Sequence, residues 1–165
     1  MEPAGAEMLE QRFPIHDSTR DGKCAATLNR LGSGSIAAIY GPAGADYAAT
    51  HSAALRQFIR RIVARMFTPM VEIQGPPTIE LALRRKQGRL LVHLSNCTAM
   101  QVGADYPVID YVPPVGPVQV SLRLDRPPKR ATLEPGGTPV AGVVRDGVWR
   151  ASIERLDLHS VLAVE

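Results

Sequence analysis

The hydrophobic period of this chain changes near residues 72–75, and this change constrains the fold more than any other feature. Upstream lies one convincing amphipathic helix, whereas residues 76–165 repeatedly alternate apolar and polar side chains. A period of about 3.6 gathers side chains on one helix face, and a period of two gathers them on one face of a strand. The sequence therefore predicts an α+β chain in which a β-hairpin and a helix precede an antiparallel β-sandwich.

The first piece is predicted to contain one hairpin and one helix. Strands are expected over residues 24–30 and 35–40, joined by a glycine-containing turn that accepts a positive φ. Residues 1–14 are expected to form a loose leader, and residues 41–46 a loop. The helix is expected over residues 52–67, capped by Thr50 or Ser52 and ending before Pro69. This gives a partial α/β segment over residues 15–70.

The predicted helix is apolar on one face and basic on the other. Its apolar face is formed by Leu55, Phe58, Ile59, Ile62, Val63 and Met66, with Phe67 at the end. Soluble monomers rarely expose an apolar patch of this size, so we expect it to be covered. The six residues 55, 58, 59, 62, 63 and 66 are predicted to be an interface, either with the β-sandwich or with a second copy in a two-fold dimer.

The second piece, residues 71–165, is predicted to contain only strands. They are expected over residues 79–84, 89–95, 118–125, 130–133, 140–145, 148–153 and 161–164. Eight of the 14 prolines fall between residues 107 and 139, where they are expected at strand ends, sheet edges and connections. Several short strands with frequent turn signals are typical of a β-sandwich.

Composition limits the classes of function. The chain is 45% hydrophobic and 21% charged, as in ordinary globular domains. No apolar run approaches the roughly 20 residues that cross a bilayer, and residues 1–14 lack the features of a signal peptide. We therefore expect a cytoplasmic protein with no membrane partner. A net charge of +3 is mild, and without a nucleic-acid-binding motif it predicts no nucleic acid partner.

Residue chemistry indicates no catalytic set. The three triad residue types at positions 16–18 (His, Asp, Ser) are adjacent, and neighbours along the chain cannot generally aim into one relay. Two pairs of carboxylates, Asp105 with Asp110 and Glu72 with Glu80, resemble the acid and base of glycosidases in type only. Because carboxylates beside turns are usually solvated, no catalytic residue is predicted.

Metal and cofactor sites are not expected either. Cys24 and Cys97 are 73 residues apart and lack a CxxC partner, so both are predicted to be buried small side chains. His51, His93 and His159 show no recognised ligand spacing, so folding alone could bring them together. The sequence predicts no metal and no cofactor.

Several segments of the sequence, taken in order, resemble a known family. Residues 26–40 (ATLNRLGSGSIAAIY) and the following basic helix resemble the close of the amidotransferase-like, flavodoxin-like domain found in β-galactosidase trimerisation regions. Residues 71–76 (VEIQGP), 83–96 (LRRKQGRLLVHLSN), 113–118 (PPVGPV) and 156–159 (LDLH) follow in an order similar to the C-terminal region of α-L-fucosidase-like and β-galactosidase-like enzymes. The resemblance covers nearly all of the chain after residue 13.

This resemblance implies an architecture without a catalytic role. In such enzymes the (β/α)₈ barrel lies upstream, the amidotransferase-like domain has no activity of its own, and a β-sandwich closes the chain. The chain would then be a non-catalytic accessory or oligomerisation region, as an excised tail or as an independent small protein. Its partners would be the barrel or further copies of itself.

A carbohydrate-binding β-sandwich module is the alternative. Aromatic residues make up only 5% of the chain, so few side chains can stack on sugar rings. The single tryptophan, Trp149, alternates with Ala151 and Ile153 and is predicted to lie in the core. Tyr106 and Tyr111 are the candidate glycan-binding residues.

Overall fold

The computed structural model describes residues 5–13, 21–98 and 111–165. The chain divides into two compact units, Met1–Thr68 and Pro69–Glu165, called here the N-terminal and C-terminal units. All described strands pair in antiparallel fashion, in three sheets, and two helices accompany them. The predicted α+β composition is confirmed at this level. No helix of the described residues combines the length and apolar character needed to cross a membrane.

The N-terminal unit is a three-stranded meander followed by two helices. Its strands are β1 (Glu7–Arg12), β2 (Lys23–Leu31) and β3 (Gly34–Ile39), in the order β1-β2-β3. Its helices are α1 (Ala43–Thr50) and α2 (Ala53–Met66). The predicted β2-β3 hairpin is confirmed, and Gly32 in its turn has a φ of 58°. Ser52 caps α2 as predicted, accepting a hydrogen bond from the backbone N–H of Leu55.

Two predictions for this unit are wrong. Residues 7–12, assigned to a loose leader, form β1 and pair with β2, and a charged strand of this kind gives no apolar alternation to detect. Residues 43–46, assigned to a loop, begin α1, because Pro42 occupies the N-cap position and alanines continue the helix. The described strands contain no parallel pair, so a flavodoxin-like origin is not confirmed.

The C-terminal unit contains nine strands in two sheets. They are β4 (Val71–Gln74), β5 (Ile79–Lys86), β6 (Arg89–Asn96), β7 (Val118–Arg123), β8 (Ala131–Glu134), β9 (Thr138–Pro139), β10 (Gly142–Arg145), β11 (Val148–Ile153) and β12 (His159–Val164). One sheet has the order β10-β11-β7-β4, and the other has the order β5-β6-β12-β8-β9. Each of the seven predicted strands has a counterpart. The two short strands β4 and β9 were not predicted, because β4 has only two apolar residues and β9 is only two residues long.

One hydrophobic core joins the two sheets, as expected for a β-sandwich. The side chains that are almost completely buried come from both sheets and from the segment before β12: Val92, Leu94, Val118, Val120, Leu122, Leu156 and Leu162. Burying an aliphatic side chain of this kind contributes about 1.5–3 kcal/mol relative to an exposed one. Trp149 is 6% exposed within the same cluster, which confirms its predicted core position.

Candidate functional site

The predicted interface on α2 is only partly covered. Ile62 is 3% exposed, whereas Val63 and Met66 are 47% and 43% exposed. The other three predicted interface residues, Leu55, Phe58 and Ile59, are half-buried. Phe67, directly after the helix, is 60% exposed. Val63, Met66 and Phe67 together form an exposed apolar surface, called here the α2 patch.

Two ion pairs attach the basic side of α2 to β1. The Arg61 Nε donates to Glu10 at 2.5 Å, and an Arg65 guanidinium nitrogen lies 2.7 Å from a carboxylate oxygen of Glu7. The hydrogen bond from Arg61 lowers the pKa of the Glu10 carboxyl, and its positive charge acts in the same direction. The sequence predicted the basic face but not its partners, because these lie 51 and 58 residues earlier, in a strand that was not predicted.

Of the two aromatic candidates for glycan binding, Tyr111 belongs to the described residues. Tyr111 is 71% exposed, so its ring is available for stacking on a sugar. Tyr106 lies outside the described residues.

Folding brings two histidines together without forming a metal site. The His93 Nδ1 and His159 Nε2 atoms lie 3.2 Å apart, and their rings stack with centroids separated by 5.3 Å. They meet because β6 and β12 are neighbours in the five-stranded sheet. No third ligand joins them: among the described residues, no group of three or more His, Cys, Asp or Glu side chains could hold a metal ion.

The described residues contain no catalytic constellation of titratable groups. Their buried polar side chains are Thr27, Asn96 and Thr132, none of which titrates. Glu72 pairs with Arg123 at 3.3 Å, and Glu80 is exposed. Perturbed titratable groups in a cleft are the usual mark of an active site. The described groups with a shifted pKa, Glu10, Arg61, Cys97 and Arg155, do not line the groove described below. The candidate carboxylates at positions 105 and 110, and residues 16–18, lie outside it.

A groove with a volume of about 860 Å³ lies at one end of the C-terminal unit. It is formed by the β5-β6 turn, the β7-β8 connection, Met70 and the last two residues. Five basic side chains line it: Arg85, Arg89, Arg123, Arg126 and Lys129. Two acidic side chains, Asp125 and Glu165, also line it, so basic residues predominate. We call this feature the basic groove.

Backbone and side-chain hydrogen bonds hold two walls of the basic groove in place. The Arg123 guanidinium donates to the carbonyl oxygen of Pro69 at 2.7 Å in addition to pairing with Glu72. The backbone N–H of Lys129 donates to the carbonyl oxygen of Glu165 at 2.6 Å. The Pro127-Pro128 pair stiffens the connection between these points, because proline fixes φ. No sequence pattern predicts the groove, since the residues of its walls are distant from one another in the chain.

The fold is similar to part of a solved glycoside hydrolase. The structure of α-L-fucosidase isoenzyme 2 from Paenibacillus thiaminolyticus matches 93% of this chain with a TM-score of 0.68 and 21% sequence identity. The chain covers 24% of the fucosidase chain. No family model and no curated protein matches the chain. The predicted resemblance to fucosidase-like glycoside hydrolases is thus confirmed at the level of the fold.

Proposed function

We propose that this chain is a non-catalytic accessory region of a glycoside hydrolase that serves in oligomerisation. The observation that carries the proposal is the fold similarity between nearly all of this chain and about a quarter of an α-L-fucosidase. With 165 residues, the chain is shorter than the roughly 250 residues of a typical (β/α)₈ barrel. The described residues also contain no buried titratable side chain, which agrees with a role outside the chemistry.

The amidotransferase-like assignment is not part of this proposal. A flavodoxin-like domain is built on a doubly wound parallel sheet. In the N-terminal unit, β1, β2 and β3 form an antiparallel meander.

The contact surface in this proposal is the α2 patch, and its occupant is a second copy of the chain. Exposed Val63, Met66 and Phe67 cluster at the C-terminal end of α2, and burying them against a symmetry-related patch would remove apolar surface from water. The half-buried Leu55, Phe58 and Ile59 extend the same helix face and would join the contact.

Sedimentation velocity over a range of concentrations tests this contact. We expect reversible association of the wild-type chain and a monomer for Val63→Asp/Met66→Asp. The matched control is Gln57→Asp/Ala64→Asp, which adds the same charges at exposed positions on the opposite helix face and should still associate. A wild-type chain that stays monomeric at every concentration contradicts the oligomerisation role.

The non-catalytic part of the proposal is tested by turnover. Purified chain should release no aryl group from aryl α-L-fucosides or aryl β-galactosides above the buffer rate. Turnover that follows the protein through successive columns would contradict this part of the proposal, whatever the oligomeric state.

A carbohydrate-binding role is the second candidate, and the exposure of Tyr111 favours it. A tyrosine ring that is 71% exposed on a β-sandwich unit can stack on a neutral sugar. Tyr111→Ala should abolish binding in a calorimetric titration with neutral oligosaccharides. Leu158→Ala, which removes a side chain that is 63% exposed and not aromatic, should leave that binding intact.

A further inference from the structure

The basic groove has no part in the accessory role proposed above. It lies within the C-terminal unit, whereas the α2 patch belongs to the N-terminal unit. Tyr111 does not line it either. Its composition therefore requires a separate explanation.

Most of the basic side chains in the groove have no ion-pair partner among the described residues. Of the five basic side chains, Arg123 is paired with Glu72. Among the described residues, no carboxylate oxygen lies within ion-pair distance of the other four, Arg85, Arg89, Arg126 and Lys129. Like charges gathered around one concavity repel each other and raise the local concentration of anions. The groove is therefore suited to a ligand that carries several negative charges.

The chemistry of the lining indicates how such a ligand would be held. No aromatic side chain lines the groove, so a sugar ring could not stack there as it could on Tyr111. Arginine presents planar, paired N–H donors that match the oxygens of a carboxylate or sulfate group. Three arginines and a lysine that have no carboxylate partner in the described part of the chain can bind such groups through charge-assisted hydrogen bonds.

The size and anchoring of the groove agree with a ligand of several residues. A volume of about 860 Å³ is within the usual range of roughly 300–1,000 Å³ for ligand sites. Arg126 precedes Pro127 and Pro128 in the β7-β8 connection. In the same connection, the backbone N–H of Lys129 donates to the carbonyl oxygen of Glu165. Because these walls are held in place, binding would cost little ordering of the backbone.

We propose that the basic groove binds an acidic carbohydrate, whose sulfate or carboxylate groups contact Arg85, Arg89, Arg126 and Lys129. The choice of a carbohydrate as the bearer of the charge rests on the proposed function, whereas the affinity for anions rests on the groove itself. Binding here needs neither the α2 patch nor Tyr111.

The experiment titrates the full chain at low ionic strength by calorimetry with five probes: a heparin-derived hexasaccharide, hexagalacturonate, neutral maltohexaose, a short single-stranded DNA and inorganic sulfate. Arg85→Gln/Arg126→Gln removes one exposed charge from each side of the groove. Arg145→Gln/Arg150→Gln is the matched control, because it removes the same charge from β10 and β11 of the same unit, outside the groove. Circular dichroism establishes that both variants are folded.

We expect at least one acidic hexasaccharide to bind more tightly than maltohexaose, and the groove variant to lose tenfold or more in affinity for the acidic hexasaccharide. The control variant should lose less than twofold. Equal losses in both variants would overturn the proposal, because they would indicate a response to net charge alone. It would also be overturned if no acidic hexasaccharide binds, including the case in which sulfate alone does, or if DNA binds at least as tightly. Failure here leaves the accessory role intact, because that role is judged by sedimentation and turnover.

Discussion

The side-chain amide of Asn96 donates to the carbonyl oxygen of Asp157 at 2.8 Å, across 61 residues of chain. The same amide donates to the carbonyl oxygen of Pro113, also at 2.8 Å, and its own oxygen accepts from the backbone N–H of Thr98 at 3.1 Å. Asn96 is 6% exposed, so it satisfies backbone groups that water barely reaches. The end of β6 is thereby tied to the segments before β7 and β12.

Replacing Asn96 with Asp should destabilise the C-terminal unit. The aspartate keeps the oxygen that accepts from Thr98 but loses both N–H donors and turns an acceptor towards two carbonyl oxygens. We expect a loss of roughly 2–4 kcal/mol, because two carbonyl groups lose their partners and a charge is buried. Urea unfolding measures it. Ser95→Ala, at the preceding position, keeps the Asn96 hydrogen bonds and should change stability by less than about 0.5 kcal/mol.

Structure that depends on residues close together in the sequence was predicted, whereas contacts between distant residues were not. The β5-β6 hairpin and β7 alternate apolar and polar residues within a few positions, and both were predicted. In contrast, β1 pairs with a distant helix through Arg61 and Glu10, which are 51 residues apart. The stacked pair of His93 and His159 is separated by 66 residues, and no periodic pattern connects them. Local patterns identify strands, but they do not identify which distant side chains meet.

The α2 patch and the basic groove differ in the same respect, because the residues of the first are close in the sequence and those of the second are not. The apolar side chains of α2 recur with the helical period, so the helix face was predictable although its degree of exposure was not. The basic groove combines residues 85–90, 123–129 and 164–165, whose proximity depends on the order of strands in the two sheets. No single stretch of the sequence carries that information.

Adding a methyl group at Gly142 should displace Trp149. A Cβ at this position would overlap Cε2, Cζ2 and Nε1 of the indole, which packs over the backbone of β10. We expect Gly142→Ala to cost about 1–3 kcal/mol, as is usual for overpacking a core. Trp149 is the only tryptophan, so its emission should shift to the red if the indole becomes exposed. Val143→Ala, at a side chain that is 60% exposed, is the control and should leave the emission unchanged.

The ion pair between Glu10 and Arg61 should make the N-terminal unit sensitive to acid. Because the folded state lowers the pKa of Glu10, its contribution to stability is fully present above the ordinary glutamate value of 4.5. That contribution is lost as the pH falls through the lower, folded-state pKa. We therefore expect the difference in unfolding midpoint between wild type and Glu10→Gln to shrink as the pH is lowered from 6 towards about 3.

The Arg61→Gln background provides the control for that experiment. Without the guanidinium, Glu10→Gln should change the pH dependence little, because the main cause of the lowered pKa has been removed. A pH dependence of the same size in both backgrounds would show that Arg61 is not what lowers the pKa of Glu10.

The Cys97 thiol should react slowly with alkylating agents. Burial raises its pKa, and the negative charge of Glu80 raises it further, so less thiolate is present at pH 8 than for an ordinary cysteine. In a Cys24→Ser background, which leaves Cys97 as the only cysteine, iodoacetamide should modify the protein more slowly than it modifies glutathione. Glu80→Gln should increase the rate modestly, because burial is the larger cause and is unchanged. A rate equal to that of glutathione would contradict this prediction, because it would mean that the Cys97 thiol is accessible and that its pKa is not raised.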